Sequence, residues 1–229
     1  DDEILGNLGR IHTADQAVRA VETAEMAGFR RISADLMFGI PGQTLETWVE
    51  TLKSMVELPL DHVSCYSLSL EEGTPFLTRF GNDSGSLPSP DATVEMYRLL
   101  VDILGSRGFE RYELSNFAKP GHECVHNEGY WSLRPYLGVG AGAHSFDGAR
   151  RTWNVPEPES YIWNELNATP ALSDGEDIDG PTRALETIML SLRRREGLDF
   201  NDFSSVYRLD PGKFRKLAAR YISEGFLEE

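Results

Sequence analysis

The chain has 229 residues, 40% hydrophobic and 26% charged, the balance of a globular protein with one large domain or a large and a small one. Its net charge of −15 argues against nucleic acid as a partner for the whole surface. No apolar run reaches the roughly 18 residues of a membrane span, and the opening Asp1-Asp2-Glu3 carries neither a secretory signal nor an initiator Met, so an internal start is expected. The charge is uneven: residues 1–180 hold 13 basic and 29 acidic side chains, and residues 181–229 hold 9 and 8, which suggests a second module. Cys65 and Cys124 stand 59 positions apart and define neither a disulfide framework nor a paired-cysteine site. That fits a reducing compartment, and a cytoplasmic location is expected.

The first helix is announced by a capping box, Thr13 with Gln16, followed by Ala17, Val18, Val21 and Ala24 at helical spacing. Gly28 is a C-terminal cap, and residues 32–38 read as a strand. Thr44 caps a second helix through Leu52 and Met55, and residues 63–70 read as a strand. A third helix opens at Ser89-Pro90, carries Met96, Leu99, Leu100, Ile103 and Leu104, and ends at Gly108-Phe109 before a strand at 112–117. Helix alternating with strand predicts a parallel sheet with crossover helices, with ligands at the carboxyl ends of the strands. Residues 145–180 are rich in Pro, Asn, Asp and Gly; a short helix is expected at 158–166 and a linker at 173–180. Helices at 181–195 and from Asp210-Pro211 to Gly225 then suggest a small winged-helix-like module cut off before its wing.

Asp35 is the first candidate for chemistry. A carboxylate in a strand that reads as buried is costly to desolvate, so it either binds ligand hydroxyls or an amine, or caps a neighbouring loop. The turn Gly39-Ile40-Pro41-Gly42-Gln43-Thr44 leads into a helix N-terminus and reads mainly as a connector; Glu71 and Glu72 read as solvated. Residues 122–131, His-Glu-Cys-Val-His-Asn-Glu-Gly-Tyr-Trp, form the densest cluster of functional side chains. His122, Cys124 and His126 are of metal-ligating type, His126 or Cys124 could ligate heme iron, and Tyr130 and Trp131 could stack on a planar macrocycle. The bland alternative is a surface loop with two core aromatics. The alternating glycines of 138–142 admit close backbone approach without a dinucleotide fingerprint, and His144 follows them. Lys213, Arg215, Lys216 and Arg220 give the last helix a basic side, read as a solvated face rather than a DNA-reading one.

In order, the segments Leu8-Gly9-Arg10-Ile11-His12-Thr13, Asp35-Leu36-Met37-Phe38-Gly39-Ile40-Pro41-Gly42-Gln43-Thr44, Tyr66-Ser67-Leu68 with Glu72-Gly73-Thr74-Pro75, Tyr112-Glu113-Leu114-Ser115-Asn116-Phe117-Ala118 and Gly138 to Ser145 resemble the oxygen-independent coproporphyrinogen III oxidase-like radical S-adenosylmethionine (SAM) proteins. His126-Asn127-x-x-Tyr130-Trp131 is similar to the motif of their heme-chaperone (HemW) branch. The resemblance implies an α/β fold: part of an incomplete (β/α)6 TIM-like barrel with an extension, residues 1–172, then a truncated winged-helix-like module, residues 173–229. It implies SAM contacts for Arg10 and Asp35. Ser69 and His144 occupy positions where relatives contact SAM through other residue types. His126, Asn127, Tyr130 and Trp131 would bind heme, with His126 as a candidate iron ligand. Cys124 is outside the pattern. The family's CxxxCxxC loop for a 4Fe–4S cluster is absent, so this chain by itself should be inactive. Implied partners are heme or porphyrin and heme-acceptor proteins, membrane-associated ones included, and a homodimer is compatible; nucleic acid is not implied. The enzyme alternative is coproporphyrinogen III dehydrogenase, the oxidative decarboxylation step of porphyrin biosynthesis.

Overall fold

The computed structural model describes residues 1–81 and 86–228. The chain divides into two compact units, Asp1–Cys124 and Val125–Glu229.

The first unit runs α1 (Asp2–Asn7), α2 (Ala14–Met26), β1 (Ser33–Phe38), α3 (Leu45–Val56), β2 (His62–Ser67), α4 (Pro75–Phe80), α5 (Pro90–Ser106), β3 (Glu110–Arg111) and β4 (Asn116–Ala118). The helix starts follow from local chemistry. Thr13 with Gln16 and Thr44 with Thr47 form reciprocal capping boxes, and Ser89 caps α5 ahead of Pro90. The two Gly-Phe helix ends are built alike. Gly28 and Gly108 take φ of 86° and 80°, and the following amides, Phe29 and Phe109, donate back to the carbonyls of Ala24 and Leu104. Only Phe109 is then buried; Phe29 stays exposed.

The sheet order is β1-β2-β4-β3. β1 and β2 are parallel, as the helix–strand alternation predicts, with Asp35 opposite Ser64. Of the single strand expected at 112–117, Asn116 and Phe117 belong to β4 and residues 112–115 form the turn between β3 and β4, and β4 is antiparallel to both neighbours. A fully buried carboxylate holds this turn: Glu113 accepts from the Ser115 amide at 2.7 Å and the Asn116 side chain at 2.6 Å. One sheet face carries Phe38, Val63, Cys65 and Phe117 and packs on Trp48, Leu52 and Met55 of α3 and Met96, Leu100 and Leu104 of α5. Strand periodicity sends Ser33, Asp35, His62, Ser64 and Asn116 to the other face, which is polar.

The second unit runs α6 (Val125–Trp131), β5 (His144–Phe146), β6 (Arg150–Asn154), α7 (Pro158–Leu166), β7 (Leu172–Asp177), α8 (Gly180–Ser191), α9 (Phe200–Tyr207) and α10 (Pro211–Ser223). β5, β6 and β7 form an antiparallel sheet. Residues 173–180 are therefore not the expected linker. Residues 173–177 belong to β7, paired to β6, and Asp179 caps α8. The polar sequence of β7 conceals a strand because its side chains are mostly exposed and its stability comes from backbone pairing. Residues 125–131 are likewise a helix rather than a loop. No helix among the described residues is long and apolar enough to cross a membrane.

Candidate functional site

Asp35 and Arg10 line one cavity of about 340 Å³, with Leu36, Gln43 and Thr47 among the other walls. Arg10 reaches it from the loop after α1, where its amide donates to Leu5 and Gly9 adopts φ 69°. Gln43 is buried and its side-chain oxygen accepts from the Ile40 amide at 3.3 Å, which shapes the turn after β1. Asp35 is exposed rather than buried. The reason is that β1 is paired only to β2 among the described residues, so its carboxylate is not enclosed by a further strand. A carboxylate, a guanidinium, an amide and a hydroxyl around one cavity suit a zwitterionic, hydroxyl-bearing ligand such as SAM. Ser69 is not among the lining residues; it is exposed and donates to Glu71 at 2.7 Å.

Beside Asp35 on the polar sheet face lies a hydrogen-bond chain that sequence reading missed. His62 bonds the Ser33 hydroxyl through Nδ1 and the Tyr112 hydroxyl through Nε2, each at 2.8 Å, and Tyr112 also accepts from the Cys124 amide at 3.4 Å. Burial lowers the His62 pKa, against the opposing pull of the Asp35 and Glu113 charges. The alternation of Ser33 and Asp35 with apolar neighbours, matched by His62 and Ser64, was the available signal.

In the second unit α6 turns the His126-to-Trp131 motif into geometry. His126 and Tyr130, four apart, lie on one helix face with rings 4.6 Å apart, edge to face. Tyr130 continues to Tyr136 at 4.7 Å, and Tyr136 to Phe146 at 6.1 Å. Tyr130, Trp131, Tyr136, Phe146 and Arg151 line a cavity of about 270 Å³. His126 is exposed, with its imidazole accessible to an incoming ligand, and Asn127 is half-buried. Trp131 does not offer two open faces for stacking: the Arg193 guanidinium lies 4.6 Å from its ring centroid, and its indole nitrogen is buried without a hydrogen-bond partner among the described residues. His144 opens β5, exposed, and stacks on Trp153 at 5.5 Å and 30°.

Among the described residues no three His, Cys, Asp or Glu side chains gather as a metal site, so His122, Cys124 and His126 do not form one. Cys65 is buried, and burial pushes its thiol pKa far up, which is the reverse of what a cluster thiolate needs. The cysteines present do not fit a 4Fe–4S cluster.

No protein-family model matches the sequence. Curated relatives do. The heme chaperone HemW of Lactococcus lactis is 34% identical over 224 residues, covering 98% of this chain and 58% of that protein. HemW of Haemophilus influenzae is 39% identical over 234 residues, covering 100% and 59%. The chain belongs to the HemW branch of the coproporphyrinogen-oxidase-like radical SAM proteins. The HemW relatives are longer, and this chain spans rather more than half of their length. The fold agrees: the radical SAM enzyme coproporphyrinogen III oxidase (HemN) from Escherichia coli superimposes with a TM-score of 0.80 at 21% identity, over 100% of this chain and 56% of that one. In this HemW-type chain Arg10 and Asp35 line one cavity, and His126 and Tyr130 share one helix face.

Proposed function

We propose that this chain carries the heme-docking apparatus, and part of the SAM-binding apparatus, of a heme chaperone that passes heme to acceptor proteins in the cytoplasm. The observation that carries the reading is the His126–Tyr130–Tyr136 ring series on and beside α6, an exposed imidazole backed by aromatic surface. His126 supplies a nitrogen ligand for heme iron, and Tyr130 supplies a flat apolar flank. Asn127, half-buried on the same helix, is proposed as a heme contact by position in the family alone. Trp131, covered on one side by Arg193, closes the wall of the neighbouring cavity rather than stacking freely.

Arg10 and Asp35 hold SAM in the first unit, the guanidinium toward its carboxylate and the carboxylate toward its hydroxyls or amine. Ser69 and His144 are proposed as further SAM contacts by position in the family alone. The 4Fe–4S cluster, with ligands outside this chain, would supply the electron for SAM chemistry in the intact protein. Helices α8 to α10 correspond to the winged-helix-like module. Membrane-associated acceptors and a homodimer fit the same reading.

Titration with heme, followed by Soret absorbance, tests it. His126→Ala should weaken the bound-heme spectrum, and Asp35→Asn should weaken SAM binding while leaving that spectrum intact. A His126→Ala protein with the wild-type spectrum and affinity removes the docking role. The Arg10–Asp35 cavity also suits a second reading, coproporphyrinogen dehydrogenase. Anaerobic formation of protoporphyrinogen by the reconstituted full-length protein would favour that enzyme instead.

A further inference from the structure

Arg151, Arg183 and Arg194 lie near the aromatic wall of the second unit, besides Arg193 on Trp131, and these three differ in their counter-ions. Arg151 lies 5.9 Å from the Phe146 ring and is tied to Glu176 at 2.5 Å and Glu186 at 3.0 Å. Arg194 pairs with Glu128 at 3.0 Å and Glu196 at 3.3 Å. Arg183 also lies 5.9 Å from the Phe146 ring, yet among the described residues its guanidinium has no carboxylate partner. It is half-buried, and its backbone is pinned: the Thr187 and Tyr207 hydroxyls both donate to its carbonyl, at 2.8 and 3.2 Å. The guanidinium therefore projects from a fixed base. It lines a cavity of about 360 Å³ that shares Trp131 and Leu133 with the aromatic cavity of Tyr130 and Tyr136. Two acids border the same cavity. The Asp199 carboxylate is engaged by the Asn201 and Asp202 amides at the start of α9, and Asp202 is exposed.

A half-buried guanidinium without an anion is incompletely compensated, and its planar fork matches a carboxylate in two-point contact. In a chain of net charge −15, a local cation of this kind favours the approach of an acidic ligand. We propose that Arg183 is the carboxylate-binding residue of the heme site. It receives a propionate while the macrocycle lies against the His126–Tyr130–Tyr136 surface. Phe146, in reach of both Tyr136 and Arg183, joins the two halves of the site. The inference rests on the heme-docking reading and adds to it the recognition of the macrocycle's acidic edge.

Heme and heme dimethyl ester, which lacks the propionate charges, separate the two. The purified protein should bind heme about tenfold or more tightly than the ester, the scale of one charge-assisted hydrogen-bonded contact. Arg183→Met should lose that preference by weakening heme and leaving the ester unchanged, and Arg183→Lys should recover part of it. Equal affinity of the wild-type protein for heme and ester overturns the proposal without any variant, as does a full preference retained in Arg183→Met. If the wild-type protein binds neither, the docking reading and this proposal fall together. If His126→Ala leaves the heme spectrum unchanged while Arg183→Met abolishes the preference, the iron-ligand role alone is lost.

Discussion

His62 is engaged at both ring nitrogens, by Ser33 from β1 and by Tyr112 from the turn before β4, so one imidazole ties together three segments of the first unit. As the neutral form, it accepts one hydrogen bond and donates the other. Protonation makes both nitrogens donors, so whichever of the Ser33 and Tyr112 hydroxyls donates to the neutral ring must reorient. Burial depresses the His62 pKa below its ordinary 6.5. The unfolded chain therefore takes up the proton first. The stability is complete above about pH 6.5 and declines as the pH falls through that value toward the lower folded pKa. Urea midpoints measured from about pH 8 down to pH 5 should drop across this window, and His62→Gln should flatten that part of the profile. An unchanged profile in the variant would assign the drop to other groups. None of this network was legible in the sequence beyond a strand register, because its members lie 29 and 50 positions apart. Arg183 was hidden for a similar reason: an arginine is legible as unpaired only after the partners of its neighbours are known.

At the scale of elements, helices α2, α3, α5, α7, α8 and α10 were readable, whereas α1, α4, α6, α9 and the short strands were not. Caps and glycine stops act within one turn, so Thr13, Thr44, Ser89, Gly28 and Gly108 mark boundaries that the folded chain keeps. The β3–β4 turn and β7 depend on partners elsewhere, and local propensity points away from them. The approach to β5 is equally non-local. Gly138 sits so close to His144 that a Cβ would meet its carbonyl oxygen at 2.1 Å and its carbonyl carbon at 2.7 Å, both backbone atoms. Gly138→Ala must displace one strand of chain from the other. It should lower the thermal midpoint and weaken the circular-dichroism signal of the His144–Trp153 stack, and a variant that melts like the wild type would show that the loop can give way. That closeness accounts for Gly138, whereas Gly140 and Gly142 take positive φ of 112° and 67°, a backbone conformation that glycine adopts without strain.

Across the whole molecule, burial is concentrated in the first unit. Its core joins Trp48, Leu52, Leu60, Met96, Leu100 and Leu104 to Val63 and Phe117, all essentially inaccessible, whereas α8 has no buried residue and α10 only Ala218. Amide exchange should accordingly be slowest in β2 and α5 and markedly faster in α8 and α10; comparable protection in both would contradict this difference in burial. The amino-acid sequence by itself determined the longer helices, the caps of α2, α3 and α5, the apolar stripes that make this core and the order of motifs that marks the family, because each of these is written in spacing along the chain. Only the tertiary structure decided that β4 runs antiparallel, that residues 173–177 are a strand, that Asp35 is exposed on a cavity it shares with Arg10, and that Arg183 has no carboxylate partner among the described residues. Those outcomes depend on pairings and on distances between residues remote in sequence, where free energy is set by which groups meet and which are left without a partner.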